Sequence, residues 1–168
     1  MLTFSSFPTK SFDLADIPQP SEVLEKALDF GLSISDKTDN YVLFESFISR
    51  NPTKDLEYIG EEFIHDAFYY RSVMAQFKHM IYKFKEGWIK SERQLILSSG
   101  ECISTFHLVT DIKGEKINNF NIYCRSTNMK QMIHDIYLIK CMEEYLKGFF
   151  DTSKMETVII FSNPHLYL

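Results

Sequence analysis

Cys102-Ile103-Ser104-Thr105-Phe106-His107-Leu108-Val109-Thr110-Asp111-Ile112-Lys113-Gly114-Glu115-Lys116-Ile117-Asn118-Asn119-Phe120-Asn121-Ile122-Tyr123 is the stretch that decides the fold class. Apolar, branched and aromatic residues alternate with polar ones on both sides of Asp111-Ile112-Lys113-Gly114. That alternation marks strands, and an Asp-to-Gly cluster between strands marks a reversal of the chain. The stretch therefore predicts two strands, 102–112 and 116–123, paired as a hairpin.

Helical patterns flank this hairpin. Over 66–86, Tyr69, Val73, Phe77, Met80 and Phe84 recur at three- and four-residue steps, and Gly87 follows as a stop. Over 128–147, Met129, Met132, Ile133, Ile136, Cys141, Met142 and Tyr145 mark a buried side, ended by Gly148. A shorter helix is predicted over 22–30, capped by Ser21 and stopped by Gly31. Residues 41–49 predict a strand, as do 94–97 and 158–161, while 35–40 is polar and turn-like. Pro8, Pro18 and Pro20 make 1–20 a loosely held arm. Strands and helices mix without regular βαβ alternation. The expected class is α+β, a mixed sheet packed with two long helices in one domain, 1–168.

Composition limits the function. A chain of 168 residues can bury a real core, and 15% aromatic content argues against disorder. A net charge of −5 excludes a nonspecific grip on a nucleic acid polymer. It leaves room for a mononucleotide, whose phosphate a few local arginines can hold. No apolar run approaches the ~20 residues of a membrane span, and the N-terminus lacks a basic region followed by an apolar one. Three cysteines without CxxC spacing fit a reducing compartment and offer no metal-ligand pattern. The expectation is a cytoplasmic protein with no metal and no membrane contact.

Three short stretches carry chemistry. Cys102 is either a small apolar strand residue or a nucleophile, and Gly100 before it permits a sharp turn. Arg125 and Ser126 offer forked donors and a hydroxyl that suit phosphate oxygens; the other reading is an exposed strand end. His165 and Tyr167 stand two apart, so an extended backbone puts them on one side, able to donate to one ligand hydroxyl. Otherwise they are polar residues of a frayed terminus.

Taken in order, these stretches resemble a known family. Glu101-Cys102-Ile103-Ser104-Thr105-Phe106-His107 resembles the Pro-Cys-His-x-x-Phe-Gln of thymidylate synthases. Tyr123-Cys124-Arg125-Ser126-Thr127-Asn128-Met129 resembles Tyr-Gln-Arg-Ser-x-Asp-Met, and Ser162-Asn163-Pro164-His165-Leu166-Tyr167 is similar to Gly-Asp-x-His-x-Tyr. Upstream, Ser49-Arg50-Asn51-Pro52-Thr53 resembles the Ser-Arg-Asn-Gly-x-Thr loop of nucleotide hydroxymethylases. Ser91-Glu92-Arg93 resembles a Ser-Arg-Arg run that crosses to the partner's phosphate site, and Arg71 sits where the family has Tyr-Gly-x-Arg. The resemblance, to the thymidylate synthase and pyrimidine nucleotide hydroxymethylase superfamily, covers 49–168.

The resemblance implies a thymidylate-synthase-like fold that forms a homodimer through its sheet. It implies a transferase moving a one-carbon unit, hydroxymethyl or methyl, to carbon 5 of dUMP, dCMP or CMP, with methylenetetrahydrofolate as donor. Cys102 would add to carbon 6. Arg125, Ser126 and Arg50, with Arg93 from the neighbouring copy, would hold the phosphate, and Arg125 would help activate the thiol. His165 and Tyr167 would hold the sugar 3′-hydroxyl. Asp135 takes the base-reading position if the alignment slips by one residue; otherwise it is a polar residue on the exposed face of its helix. The proline and histidine flanking the family's cysteine are lost, Glu92 reverses a charge, and Asn128 replaces a carboxylate tied to folate chemistry. The folate-side motifs are missing, so a catalytically silent nucleotide-binding protein of the same fold is the alternative.

Overall fold

Parallel strands cannot be joined by a tight turn; they need a long crossover, and one such crossover organises this chain. The computed structural model describes residues 2–4, 14–64, 67–91 and 95–168. Its elements begin with β1 (Leu2–Phe4), α1 (Pro20–Asp29), β2 (Ile34–Lys37), β3 (Tyr41–Phe44), β4 (Phe47–Arg50) and α2 (Ala67–Lys85). They continue with β5 (Ile96–Ser98), β6 (Ile103–Thr110), β7 (Ile117–Cys124), β8 (Thr127–Asn128), α3 (Met132–Leu146), β9 (Glu156–Phe161) and β10 (Pro164–Tyr167). The class is α+β with mixed pairing, as expected, but the strands form two sheets.

The larger sheet has the order β1-β4-β9-β7-β6-β5, and the smaller β2-β3-β10-β8. The hairpin read from the sequence is β6–β7, antiparallel with Phe106 opposite Ile122 and Leu108 opposite Phe120. Strand β7 then pairs in parallel with β9, and α3 is part of the crossover between them. Three times the chain leaves the large sheet for the small one, or the reverse, with only two residues between strands. These crossings are Glu45-Ser46, Arg125-Ser126 and Ser162-Asn163. The predicted strand 41–49 is therefore two strands in different sheets. Backbone bonds from Ser162 N–H to the Cys124 carbonyl (2.9 Å) and from Met129 N–H to the His165 carbonyl (2.8 Å) stitch the latter two crossings together.

Helix α2 follows its predicted stripe: Val73 and Phe77 are fully buried, and the Phe77 ring meets Phe106 (6.2 Å) and Phe120 (5.7 Å) on the inner face of the sheet. Both α1 and α2 close with a glycine in the left-handed region, Gly31 at φ 95° and Gly87 at φ 74°. The next residues, Leu32 and Trp88, then reach back to the Ala27 and Lys83 carbonyls, satisfying carbonyls the helix leaves open.

Several boundaries differ from expectation for local reasons. Helix α1 opens at Pro20, with Gln19 rather than Ser21 at its cap, because proline needs no N–H at the first helical position. The first half of the turn-like 35–40 belongs to β2, an exposed edge strand whose polar side chains conceal its pairing with β3; 38–40 form the connection to β3. Of the predicted arm, Leu2–Phe4 pairs in parallel with β4, while residues 1 and 5–13 lie outside the described residues. Helix α3 starts at Met132 rather than at 128, because Thr127 and Asn128 pair with β10 and the Asn128 carboxamide accepts from Lys130 N–H (3.1 Å).

The largest departure concerns the sides of α3. It is buried almost all round, including His134, Asp135 and Glu143. Tyr70 of α2, Thr157 of β9 and the 53–60 segment all reach it through hydrogen bonds. The exposed-face reading of Asp135 is therefore corrected: Asp135 is only 7% exposed.

Phe77 fills the space between α2 and the β6–β7 pair. Replacing Phe77 by Ala is expected to lower the unfolding free energy by about 3–5 kcal/mol. Urea denaturation would show this as a lower midpoint with unchanged slope.

Candidate functional site

Cys102 stands just before β6, after a turn made by Ser98-Ser99-Gly100-Glu101, with Gly100 at φ 76°. The Ser99 hydroxyl donates to the Ile103 carbonyl (2.5 Å) and accepts from Glu101 N–H (3.1 Å). Ile103 N–H in turn donates to the Tyr69 hydroxyl (3.0 Å). The turn is thus tied at both ends, and Cys102 is left exposed at its tip.

Of the three cysteines, Cys102 is the accessible one. Cys124 and Cys141 are buried. Burial, reinforced by the nearby Asp135 charge, holds the Cys124 thiol well above its usual range. Burial also pushes Cys141 up to about 12. Neither serves as a nucleophile near neutral pH.

Cys102 opens onto a cleft of about 260 Å³ lined by Tyr69, Tyr70, Glu101, Ser126, Asn128, Gln131, Asp135 and His165. These residues come from both long helices, the turn before β6, the 125–126 crossing, β8 and β10. The Ser126 hydroxyl lies 3.3 Å from His165 Nδ1, which is also 3.2 Å from the Asn163 carbonyl. With its proton on Nδ1, His165 donates to that carbonyl and presents Nε2 as an acceptor. The Tyr41 ring stacks on His165 at 5.8 Å and fixes its plane.

Asp135 closes the cleft from α3. The Tyr70 hydroxyl donates to its Oδ1 (2.5 Å), leaving Oδ2 for a ligand. Burial pushes the Asp135 carboxyl up to about 7, an effect the Tyr70 hydrogen bond partly offsets. A carboxyl at this value acts as donor and acceptor together in its protonated form, and as a pure acceptor when ionised.

The structure thus brings together Cys102, Ser126, Asp135 and His165. It places the remaining predicted residues elsewhere. Arg125 contributes main chain: its N–H donates to the Cys102 carbonyl (2.8 Å), and its carbonyl accepts from the Asn163 carboxamide (3.0 Å). Its exposed side chain is not among those lining the cleft. Tyr167 is 58% exposed and packs edge-on against Tyr41 and His165 outside the cleft. Arg50 stands at the far end of β4, where it pairs with Glu156 at 2.7 Å. Because β4 and β9 are antiparallel, with Phe47 opposite Phe161 and Arg50 opposite Val158, that end points away from Ser162 and His165. Arg93 lies outside the described residues, and Arg71 lines a different groove with Glu61, Glu62 and Lys78.

No family model matches this sequence, and no curated protein does so significantly. Among the described residues, no three His, Cys, Asp or Glu side chains gather as a metal ion would require. No described helix is long and apolar enough to cross a membrane.

Sequence reasoning passed over Tyr69 and Tyr70 as cleft-lining groups. Tyr69 falls on the apolar stripe and reads as core; Tyr70 stands one position off it. The available signal was a phenol on the buried side of a helix, which needs a polar partner.

The Asp135 carboxyl has a testable consequence. Its value is about 7 in the fold against 3.8 ordinarily, so between those values the folded protein holds a proton that the unfolded chain releases. Stability attributable to this group is complete below pH 3.8 and is lost as pH rises towards 7. The change is on the order of 4 kcal/mol. Glu143, also raised by burial, acts in the same direction. Unfolding free energies measured across this range should decline with pH in the wild type, and distinctly less in Asp135→Asn.

Proposed function

We propose that the chain is a thymidylate-synthase-like transferase that places a one-carbon unit, hydroxymethyl or methyl, on carbon 5 of a pyrimidine nucleoside monophosphate. The observation that carries this reading is the convergence of Cys102, Ser126, Asp135 and His165 on one cleft from separate segments of chain. Cys102, Ser126 and His165 are among the residues that supported the resemblance; the β6–β7 hairpin brings the first two near each other, and the pairing of β8 with β10 adds the third.

The chemistry follows from their positions. The Cys102 sulfur forms a bond to ring carbon 6, and the carbon 5–carbon 6 electron pair moves toward the carbon 4 substituent. Carbon 5 becomes nucleophilic. It attacks the carbon of a formaldehyde-level donor, whose carbon–heteroatom π pair moves to the heteroatom and takes up a proton. Loss of the carbon 5 proton and expulsion of the sulfur then restore the aromatic ring and the free thiolate, leaving a hydroxymethyl group; a methyl group needs a hydride donor as well. Asp135 would meet the polar edge of the base, His165 the sugar and Ser126 the phosphate, so that binding orients the ring for attack.

The residues do not fit a folate alongside the nucleotide. The cleft of about 260 Å³ takes one ligand and leaves no room for a second beside it. No step is derived through methylenetetrahydrofolate.

A second reading keeps the nucleotide and drops the turnover. Among the described residues no arginine or lysine lines the cleft, whereas Glu101 does. Without a cation to anchor the phosphate, orientation is weaker, and orientation is what drives the addition. This favours a silent pyrimidine-nucleotide-binding protein.

A homodimer formed through the large sheet belongs to the same proposal. The outward face of that sheet is half-exposed and carries Ile48, Tyr123, Val158, Ile160 and Ile96, the last 51% exposed. Light scattering should report a dimer for the wild type and a monomer for Ile160→Asp; a monomeric wild type would remove the dimer from the proposal.

Release of tritium from carbon-5-labelled dUMP, dCMP or CMP tests the enzyme reading, with and without methylenetetrahydrofolate. Release that vanishes in Cys102→Ala is the expected result. Binding without release would establish the silent alternative, and neither binding nor release would sink both.

A further inference from the structure

A second cleft, of about 320 Å³, opens at the other end of α3 and is lined by Asn51, Thr53, Lys54, Glu143, Lys147 and Thr152 among others. Glu143 and Asp135 are eight residues apart, about 12 Å along the helix axis. The two clefts therefore have different floors and share no lining residue.

Glu143 is the informative group. It is 8% exposed, and each carboxylate oxygen accepts one threonine hydroxyl, Oε2 from Thr53 (2.7 Å) and Oε1 from Thr157 (2.5 Å). Among the described residues no lysine or arginine pairs with it. A buried carboxylate is costly unless donors surround it, and each oxygen retains acceptor capacity. The floor of this cleft can thus accept further hydrogen-bond donors from a ligand.

The rim has the opposite character. Lys54 is exposed and makes no ion pair among the described residues, and Lys147 reaches the rim while sharing Glu144 with Lys140. The Asn51 carboxamide oxygen accepts from Thr157 N–H (2.9 Å), so its NH₂ group remains a donor at the wall. Ammonium groups at the rim disfavour a cationic ligand, so neutral donors such as hydroxyls suit Glu143 better than an amine. Lys54, which no described ion pair offsets, and Lys147, shared with Glu144, both present donors that suit phosphate oxygens.

We infer that this cleft binds a small phosphate monoester bearing hydroxyl groups, its hydroxyls on Glu143 and its phosphate between Lys54 and Lys147. The inference does not depend on the chemistry proposed for the Cys102 cleft.

An NMR titration of the full chain with ribose 5-phosphate, ribose and inorganic phosphate tests it. Ribose 5-phosphate is expected to shift the Thr53, Thr152 and Thr157 amides and to bind more tightly than either fragment. Lys54→Ala, at an exposed position, should weaken it roughly tenfold. Glu143→Gln should remove its advantage over inorganic phosphate while leaving phosphate binding in place. If that variant does not fold, the wild type's preference for ribose 5-phosphate over inorganic phosphate still tests the hydroxyl end, and Lys54→Ala the phosphate end. Equal binding of ribose 5-phosphate and inorganic phosphate by the wild type would reduce the site to an anion patch and overturn the inference. So would shifts confined to other residues, or none at millimolar ligand.

Discussion

Everything in this fold answers to one constraint: α3 is buried on nearly every side and carries two carboxylates inward. Buried polar groups must find hydrogen-bond partners, and here each partner is a hydroxyl on a different element. Tyr70 of α2 reaches Asp135; Thr53 and Thr157 reach Glu143. These bonds set the rotation of the helix and its position along the sheet. They also set what each cleft contains, because each carboxylate forms part of one cleft.

The second organising feature is the seam between the sheets. A strand that changes sheets must bend and loses pairing at the bend. Placing two crossings side by side lets their freed backbone groups satisfy one another, as the bonds across 124–129 and 162–165 do. The same bend exposes side chains that a continuous strand would bury or point to solvent. Ser126 and His165 reach the cleft because β7 and β9 stop where they do. The site is therefore a product of the seam, and Cys102 joins it because the turn before β6 ends at the same edge of the sheet.

Features that depend on near neighbours were legible in the sequence. The β6–β7 hairpin follows from alternation around a turn, and the buried stripe of α2 follows from helical spacing. Helix-ending Gly31 and Gly87 follow from the left-handed backbone that glycine tolerates. Features that depend on distant partners were not. Residues 41–49 carry one continuous β pattern, and only pairing with β10 on one side and β9 on the other divides it at Glu45-Ser46. The polar strand β2 has no pattern of its own and exists because β3 lies beside it. The partial resemblance grouped Arg50 with Cys102 on local similarity alone, and the antiparallel register of β4 and β9 separates them.

By itself the sequence determined the α+β class, the main hairpin and the long helices, along with a short set of candidate site residues. Those properties arise from steric and hydrophobic preferences acting over a few residues. Beyond the neighbours that the hairpin itself supplies, the tertiary structure decided which of those side chains share a cleft. It put Asp135 inside rather than outside, because elements on several sides enclose α3. It made Cys102 the available thiol, because burial removes Cys124 and Cys141 from solvent. It also placed Glu143 at the floor of a second cleft. A local pattern records that a helix has a buried face; how many faces are buried depends on what the rest of the chain packs around it.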